Sequence, residues 1–466
     1  MKNQELFDAE DAYEKLVGIE VFSTTVPGVG GVIKERTTDF EVREITTSQR
    51  VLSTSDSKDH TLSEPKKGHA YTVFDLVKWN ADTILTVKEI SRALGKPLSD
   101  FSHAGIKDNR AITAQQVSVR GIVGQQLLQL HLPNARVQNI RYSRRPVQVG
   151  DLWGNHFEIL VRGVQADDLE DLESKVGLLV EQIEARGFPN YFGLQRFGTH
   201  RPNSHEIGRW LLLGDFERAI KQFLTQVFPT EGEEAREARE TLAETWDFNK
   251  AASTFPKGLT YERMVLKHLA SNPGDYEGAF STLPRSLQHL LLSSFQSYQF
   301  NKVVTRRAQE GYPPHVPADG DSVFLFTEEC GMPTRVRYKY EGSWKPRLDR
   351  VLKARRAAVG IPLAGYETKF DGSLTSRLVK EQLELDGVPQ SSFRLEHIPR
   401  LRPFKGAHRV ITVYPRNLSF RSIELKDGCL ALGLSFDLPR GTYATMLLRE
   451  ITKKEKPRPM SQTNAT

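Results

Sequence analysis

The sequence is poor in cysteine: Cys330 and Cys429 are the only two among 466 residues. Two thiols build no disulfide framework, and without a CxxC pair they offer no zinc-binding spacing, so the chain reads as a reduced, intracellular protein. Long apolar runs are missing as well. No stretch reaches the roughly 18 residues that a membrane-spanning helix needs. The opening MKNQELFDAEDAYEKLVG is acidic and polar, without the basic and apolar regions of a secretory leader. Charge of one sign is not in large excess: 64 Lys and Arg face 58 Asp and Glu, a net +6. A pI of ≈ 9.0 suits a polyanionic partner without requiring one.

Familiar chemical motifs are equally scarce. PGVGGVIK has the glycines of a phosphate loop, but Lys34 stands three residues past Gly31. The DFEVRE that follows alternates like a strand, where a dinucleotide fingerprint needs a helix. A Gly-rich lead into a strand is the better reading. His200 and His205 in HRPNSHE match no metal-ligand spacing and have no cysteine nearby. No GxSxG elbow presents a nucleophilic serine.

What the chain does have is material for two cores. It is 38% hydrophobic with 24 Phe and 13 Tyr, and its length predicts more than one domain. DFEVRE reads as a half-buried strand, and the Ser/Thr-rich TTSQRVLSTSDSKDHTLSEPKKG as an exposed loop. HAYTVFDLVKW is β-branched and aromatic on both faces, a buried strand. TVKEISRALG predicts a helix, with Thr86 and Glu89 at capping-box spacing and a stop at Gly95 and Pro97. Residues 168–186 carry Leu169, Leu172, Val176, Leu179 and Ile183 at helical spacing, with Gly187 as the stop. FPNYFGLQRFG is too aromatic and Gly-punctuated for an ordinary connector. From about residue 200 the composition shifts to polar helices broken by Pro and Gly, followed by the basic run RVRYKYEGSWKPRLDRVLKARR. Strand patterning resumes near KGAHRVITVYP, and the tail KKEKPRPMSQTNAT is polar.

Two stretches could carry chemistry. In HAGIKDNRAITAQQ, Asp108 lies between Lys107 and Arg110, in a loop between a predicted helix and a strand. Gly and Asp-Asn are ordinary turn residues. The alternative is a functional carboxylate: the two cations favour its ionised form, which suits attack or charge stabilisation at a sugar carbon rather than general acid work. In WGNHFEILVRG, Asn155 and Phe157 share one face of a strand. An amide beside a ring is how an extruded base is gripped; an ordinary core Phe is the bland alternative.

Taken together, these stretches resemble the TruD-type pseudouridine synthases. HAGIKDNRAITAQQVSV resembles the family signature, and IKERTTDFEVREI, VKWNADT, NYFGLQRFG and LPRGTYATMLLREI resemble further family segments in the same order. LPRSLQHLLLSSFQSYQFNK resembles part of the family's inserted domain. Asn109 replaces a frequent Arg and Thr442 a usual Ser.

The resemblance implies an α+β fold: a pseudouridine-synthase catalytic domain with a mixed, mainly antiparallel sheet flanked by helices, and an inserted α/β TRUD domain. The expected division is 1–188 and 408–452 for the catalytic domain, 189–407 for the insert and 453–466 for the tail. It also implies isomerisation of a uridine in tRNA, an intramolecular transfer that calls for neither cofactor nor metal. Asp108 would be the essential carboxylate, whether it attacks C1′, adds to the base or takes a proton. Arg110 or Arg196 would pair with it, Lys34 would contact phosphate or base, and Asn155 and Phe157 would hold the flipped uracil. The basic run, including Arg335, Arg337, Lys339, Arg347, Arg350 and Arg355, would form an RNA-backbone surface. The expected protein is a cytoplasmic (or nuclear) monomer with RNA as its partner. The rivals are a non-catalytic RNA-binding protein on the same scaffold and a glycoside hydrolase, which would need a second carboxylate.

Overall fold

The computed structural model describes residues 11–56, 62 and 64–453. The first ten residues, part of the Ser/Thr-rich loop and the polar tail from 454 lie outside the described residues.

The larger sheet has nine strands: β1 (Gly30–Val32), β2 (Phe40–Ile45), β3 (Tyr71–Trp79), β4 (Phe101–His103), β5 (Ile112–Arg120), β6 (Ala135–Ser143), β7 (Gly154–Val164) and, far along the chain, two more. Between them β8 (Phe188–Pro189) leaves the sheet, and β9 (Ser322–Phe326), β10 (Pro333–Lys339), β11 (Ala357–Leu363) and β12 (Ala407–Val410) form a second, smaller one. The chain returns through β13 (Thr412–Val413) to β14 (Arg416–Glu424) and β15 (Leu430–Pro439). The large sheet runs β14-β15-β7-β2-β5-β3-β6, with β1 on β7 and β4 on β5. Only the β2–β5 pairing is parallel among its described ladders, so the sheet is mixed and mainly antiparallel, as expected.

The small sheet still holds Ala407–Val410, so the return to the large sheet falls after Val410 rather than at 407/408. The crossing itself is the two-stranded β8–β13 ladder, Phe188 opposite Val413.

One face of the large sheet is apolar and carries the helices. The helix Leu169–Arg186 forms as its spacing predicts, capped by Asp168 on the Asp171 N–H and ended at Gly187 with φ 67°. Leu172, Val176, Leu179 and Ile183 are fully buried under it, and truncating one to Ala would cost about 2–5 kcal/mol. A second helix, Thr83–Ala93, covers the far half of the same face, packing Val87 and Ile90 against Phe74, Leu76, Val117 and Val119. It starts earlier than the capping-box spacing suggests. Asp82 is the cap, accepting from the N–H groups of Ile84 (2.8 Å) and Leu85 (2.9 Å), while Thr86 bonds back to the Asp82 carbonyl.

Within the inserted region the helix Arg285–Gln309, 25 residues long, is the central element. Among the described residues no helix is long and apolar enough to cross a membrane.

Candidate active site

Between the two helix-covered halves, the buried face of the large sheet turns polar. Alternation puts Glu44 on the same side of β2 as Phe40 and Val42, and cross-strand pairing lines it up with Asn155 on β7. On β5 and β3 the same face carries Thr113, Gln115 and Lys78. Glu44, Lys78, Thr113 and Gln115 are each at most 1% exposed. Polar groups this deep have to find partners, and Glu44, Lys78 and Gln115 find theirs chiefly in the loop 104–111.

Lys107 is the main anchor. Its ammonium pairs with Glu44 at 3.0 Å and donates to the Asn155 amide oxygen at 2.7 Å. Its backbone N–H donates to the Thr83 hydroxyl (3.3 Å), which in turn donates to Gln115 (3.1 Å), and the Gln115 amide donates to the Gly105 carbonyl (3.1 Å). The other oxygen of Glu44 accepts from the Gln116 N–H at 2.7 Å. Lys78 donates to the backbone carbonyl of Asp108 itself at 2.7 Å. Burial pulls the Lys78 pKa down to about 8, against the opposing pull of the Asp108 and Asp82 charges. A buried ion pair adds little net stability but strongly penalises any arrangement that separates it. The loop is therefore fixed from below.

The Asp108 carboxylate points the other way, with its side chain 46% exposed. Its ion-pair partner is Lys34 at 3.1 Å. Lys34 adopts φ 58°, a left-handed conformation that costs energy for a side-chain-bearing residue, and its ammonium lies 4.1 Å from the centre of the Phe40 ring. The glycines before it serve close packing: a Cβ on Gly31 would meet Val161 at 2.6 Å. That is the role of PGVGGVIK.

Several sequence expectations need correcting. Arg110 donates to the Glu35 carbonyl (2.8 Å) rather than to Asp108. Arg196 bonds elsewhere than Asp108: its guanidinium donates to the hydroxyls of Ser293 (2.6 Å) and Ser297 (3.1 Å) on the long inserted helix. Phe157 does not stand free. It is 6% exposed, stacked on Phe436 at 5.2 Å and edge-on to Phe40 at 6.3 Å, because its strand face continues the apolar core. Asn155 already spends its amide oxygen on Lys107, which leaves the NH2 group for a ligand. The basic run does not make one surface: Lys339 pairs with Asp371 and Arg355 with Glu329, whereas Arg335 and Arg337 are exposed on β10.

Among the described residues no group of three or more His, Cys, Asp or Glu is placed to hold a metal ion.

The comparisons with known proteins bear on this geometry. A family model described as tRNA pseudouridine synthase D (TruD) matches residues 16–451. This chain belongs to the TruD family. A probable tRNA pseudouridine synthase D of Methanosarcina barkeri is 33% identical over 444 residues, covering 94% of this chain and 97% of the relative. A probable tRNA pseudouridine synthase D of Methanopyrus kandleri is 36% identical over 389 residues, 83% of this chain and 86% of the relative. The crystal structure of a putative tRNA pseudouridine synthase D (TruD) from Methanosarcina mazei superposes with a TM-score of 0.78 at 32% identity, covering 95% of this chain and 98% of that one. The mixed sheet described above is thus the pseudouridine-synthase fold of the family.

In this TruD-family chain NYFGLQRFG turns out to be a seam. The Tyr191 hydroxyl meets Thr305 at 2.8 Å, and Asn301 brackets Phe192 by accepting from its N–H and donating to its carbonyl, both at 2.9 Å. The residues that sequence reasoning missed are Glu44, Lys78, and Lys107 as an anchor. Glu44 and Lys78 could have been found: each is a charged residue at an inward position of an apolar strand.

Proposed function

We propose that this TruD-family chain isomerises a uridine of tRNA to pseudouridine with the Asp108 carboxylate as the reacting group. The observation that carries the reading is a half-exposed carboxylate on a loop pinned from beneath by the Glu44–Lys107 pair. The reaction breaks the C1′–N1 bond and forms C5–C1′. The C5 proton leaves, N1 gains one, and nothing is oxidised or reduced. An ionised carboxylate serves that change by attack at C1′, by addition to the ring or by removal of a proton. The target leaves its stack at a cost of a few kcal/mol, roughly. The Asn155 NH2 group offsets part of it by bonding the uracil, and Phe157 and Phe40 line the floor beneath.

Lys34 has two tasks in this reading. It holds the carboxylate in register and contributes positive potential where the RNA backbone approaches; Arg110, exposed beside it, adds to that potential. One chain carries both the carboxylate and its anchors, so a monomer suffices, working in the cytoplasm where tRNA is at hand.

The test is to incubate unmodified tRNA transcripts with the chain and map pseudouridine by carbodiimide-dependent reverse-transcription stops. Wild type should introduce a stop at a defined uridine and Asp108→Asn should not. RNA binding without a stop in either protein would favour the non-catalytic binder.

A further inference from the structure

A second site lies where the small sheet meets the end of β15. The cavity, ≈ 560 Å³, is lined by residues of both: Phe324, Arg335, Arg337 and Arg409 from the small sheet, Tyr414 from the returning segment, and Arg440 from the LPRGT turn. This is the volume of a small-ligand pocket. Its walls hold four guanidinium groups and no carboxylate. By contrast, the cavity beside the helix Leu169–Arg186 is lined by Asp167, Asp168, Glu170 and Glu424, and another by Asp215, Glu217, Asp275 and Glu277.

None of the four arginines pairs with a carboxylate among the described residues. Arg335 has no ion-pair partner among the described residues. Arg337 lies over the Phe324 ring, 5.6 Å from its centre, with His408 at 3.3 Å. The Arg440 guanidinium donates to the carbonyls of Gly150 and Leu152. Arg409 is the most deeply set. It donates to the Asn190 carbonyl (3.2 Å), the Asn190 amide oxygen (2.6 Å) and the Gly441 carbonyl (3.0 Å), and stacks over Phe192 at 4.1 Å. Three of its five N–H groups are used, none on an acid. Burial brings its pKa down to about 10. Like charges gathered without counter-ions are unfavourable, and a phosphate in the cavity relieves them through charge-assisted hydrogen bonds. The exposed guanidinium planes of Arg335 and Arg337, the latter lying over Phe324, give a base something to stack on.

The cavity also lies in line with the Asp108 site. Leu438 pairs with Asn155 and Pro439 with Gly154, and Pro439 to Thr442 form one wall of the cavity. At about 3.3 Å per residue, it opens within roughly 10 Å of the Asn155 position along the strand, a span that a nucleotide or two of single strand covers.

We propose that this cavity binds a nucleotide of the RNA strand adjacent to the target uridine through its phosphate, held by Arg335, Arg337 and Arg440, while Arg409 fixes the two walls together. The inference rests on the synthase reading; the Kd series of its test does not.

The test compares wild type with the Arg335→Ala/Arg337→Ala double variant on an RNA stem-loop. The same RNA is also made with single phosphates near the target replaced in turn by neutral methylphosphonates. The double variant should raise KM about tenfold on the unmodified RNA with kcat moved less than about threefold. One replacement, a step or two from the target, should raise the wild-type KM about tenfold and have no further effect on the variant. Equal KM for the two proteins, or independent additive effects at every phosphate, overturns the proposal. Repeating the series as Kd by fluorescence anisotropy in an Asp108→Asn background decides the cavity without turnover. A chain that modified nothing would then sink the synthase reading alone, and equal Kd values would sink the cavity alone. Both arginines are exposed on β10, so an unchanged melting temperature certifies the fold of the variant.

Discussion

Two stretches of this chain are equally distinctive as sequence and opposite as structure. The loop of Asp108 sends its carboxylate toward solvent while the residues beneath it form a buried polar net. The segment Asn190–Gly198 instead spends its polar groups inward, on Asn301 and Thr305 of the long helix and Val410 of the small sheet. A conspicuous motif can thus mark an outward-facing carboxylate, the reacting group in the function proposed above, or a joint. What separates the two is where the polar atoms find their partners: a reacting group leaves capacity for a ligand, and a joint leaves none.

Variants can break or sharpen that contrast. The largest effect is expected at the net itself. Glu44→Gln leaves the Lys107 charge buried without its partner, which should cost about 3–5 kcal/mol and lower isomerisation together with stability, measured by denaturant unfolding and single-turnover rate. Asn301→Ala in the seam should cost about 2–4 kcal/mol, because it orphans the Phe192 N–H and carbonyl and the Val17 carbonyl. Below its melting temperature that variant should keep its single-turnover rate within about threefold; a rate loss matching that of Glu44→Gln would erase the distinction drawn here. Lys34→Met should do the reverse of Asn301→Ala. Its ion pair is partly exposed, so stability should move by less than about 1 kcal/mol, while the rate falls about tenfold through loss of the Asp108 contact and of local positive potential.

The smallest effect is one of pH. Lys78 has a folded pKa near 8, below its ordinary 10.5, so between these values the unfolded chain binds more protons and stability rises with pH. The burial penalty on Lys78 is in full force below pH 8 and gone above about 10.5. Melting temperatures of wild type and Lys78→Met should therefore shift in favour of wild type as pH goes from 7 to 10. A constant gap would mean that Lys78 is not strained by burial.

How much of this was legible beforehand follows from what each signal encodes. Periodicity encodes which face is buried, so the helix 169–186 and the strands β2, β3, β5 and β7 could be read directly. Asp108 and Asn155 could be singled out by residue type and by family resemblance. Partnerships were harder, since they depend on contacts between residues far apart in sequence. Lys34, 74 positions before Asp108, reaches it only because β1 and β2 fold back on β7. Arg110, two positions away, turns aside to Glu35. Phe157 looked like a stacking ring because a strand alternation does not say which face is the core. The basic run looked continuous because sequence hides the acids, Asp371 and Glu329, that neutralise Lys339 and Arg355.

The central claim is that one carboxylate does the chemistry while the net below it only holds it there. It is tested most directly by the single-turnover rate of Asp108→Asn on a tRNA transcript, with Kd for the same RNA measured in parallel. The account predicts a rate loss of at least about a thousandfold with Kd changed less than about threefold. A variant that still forms pseudouridine at a comparable rate, or one that loses binding and turnover together, would contradict it.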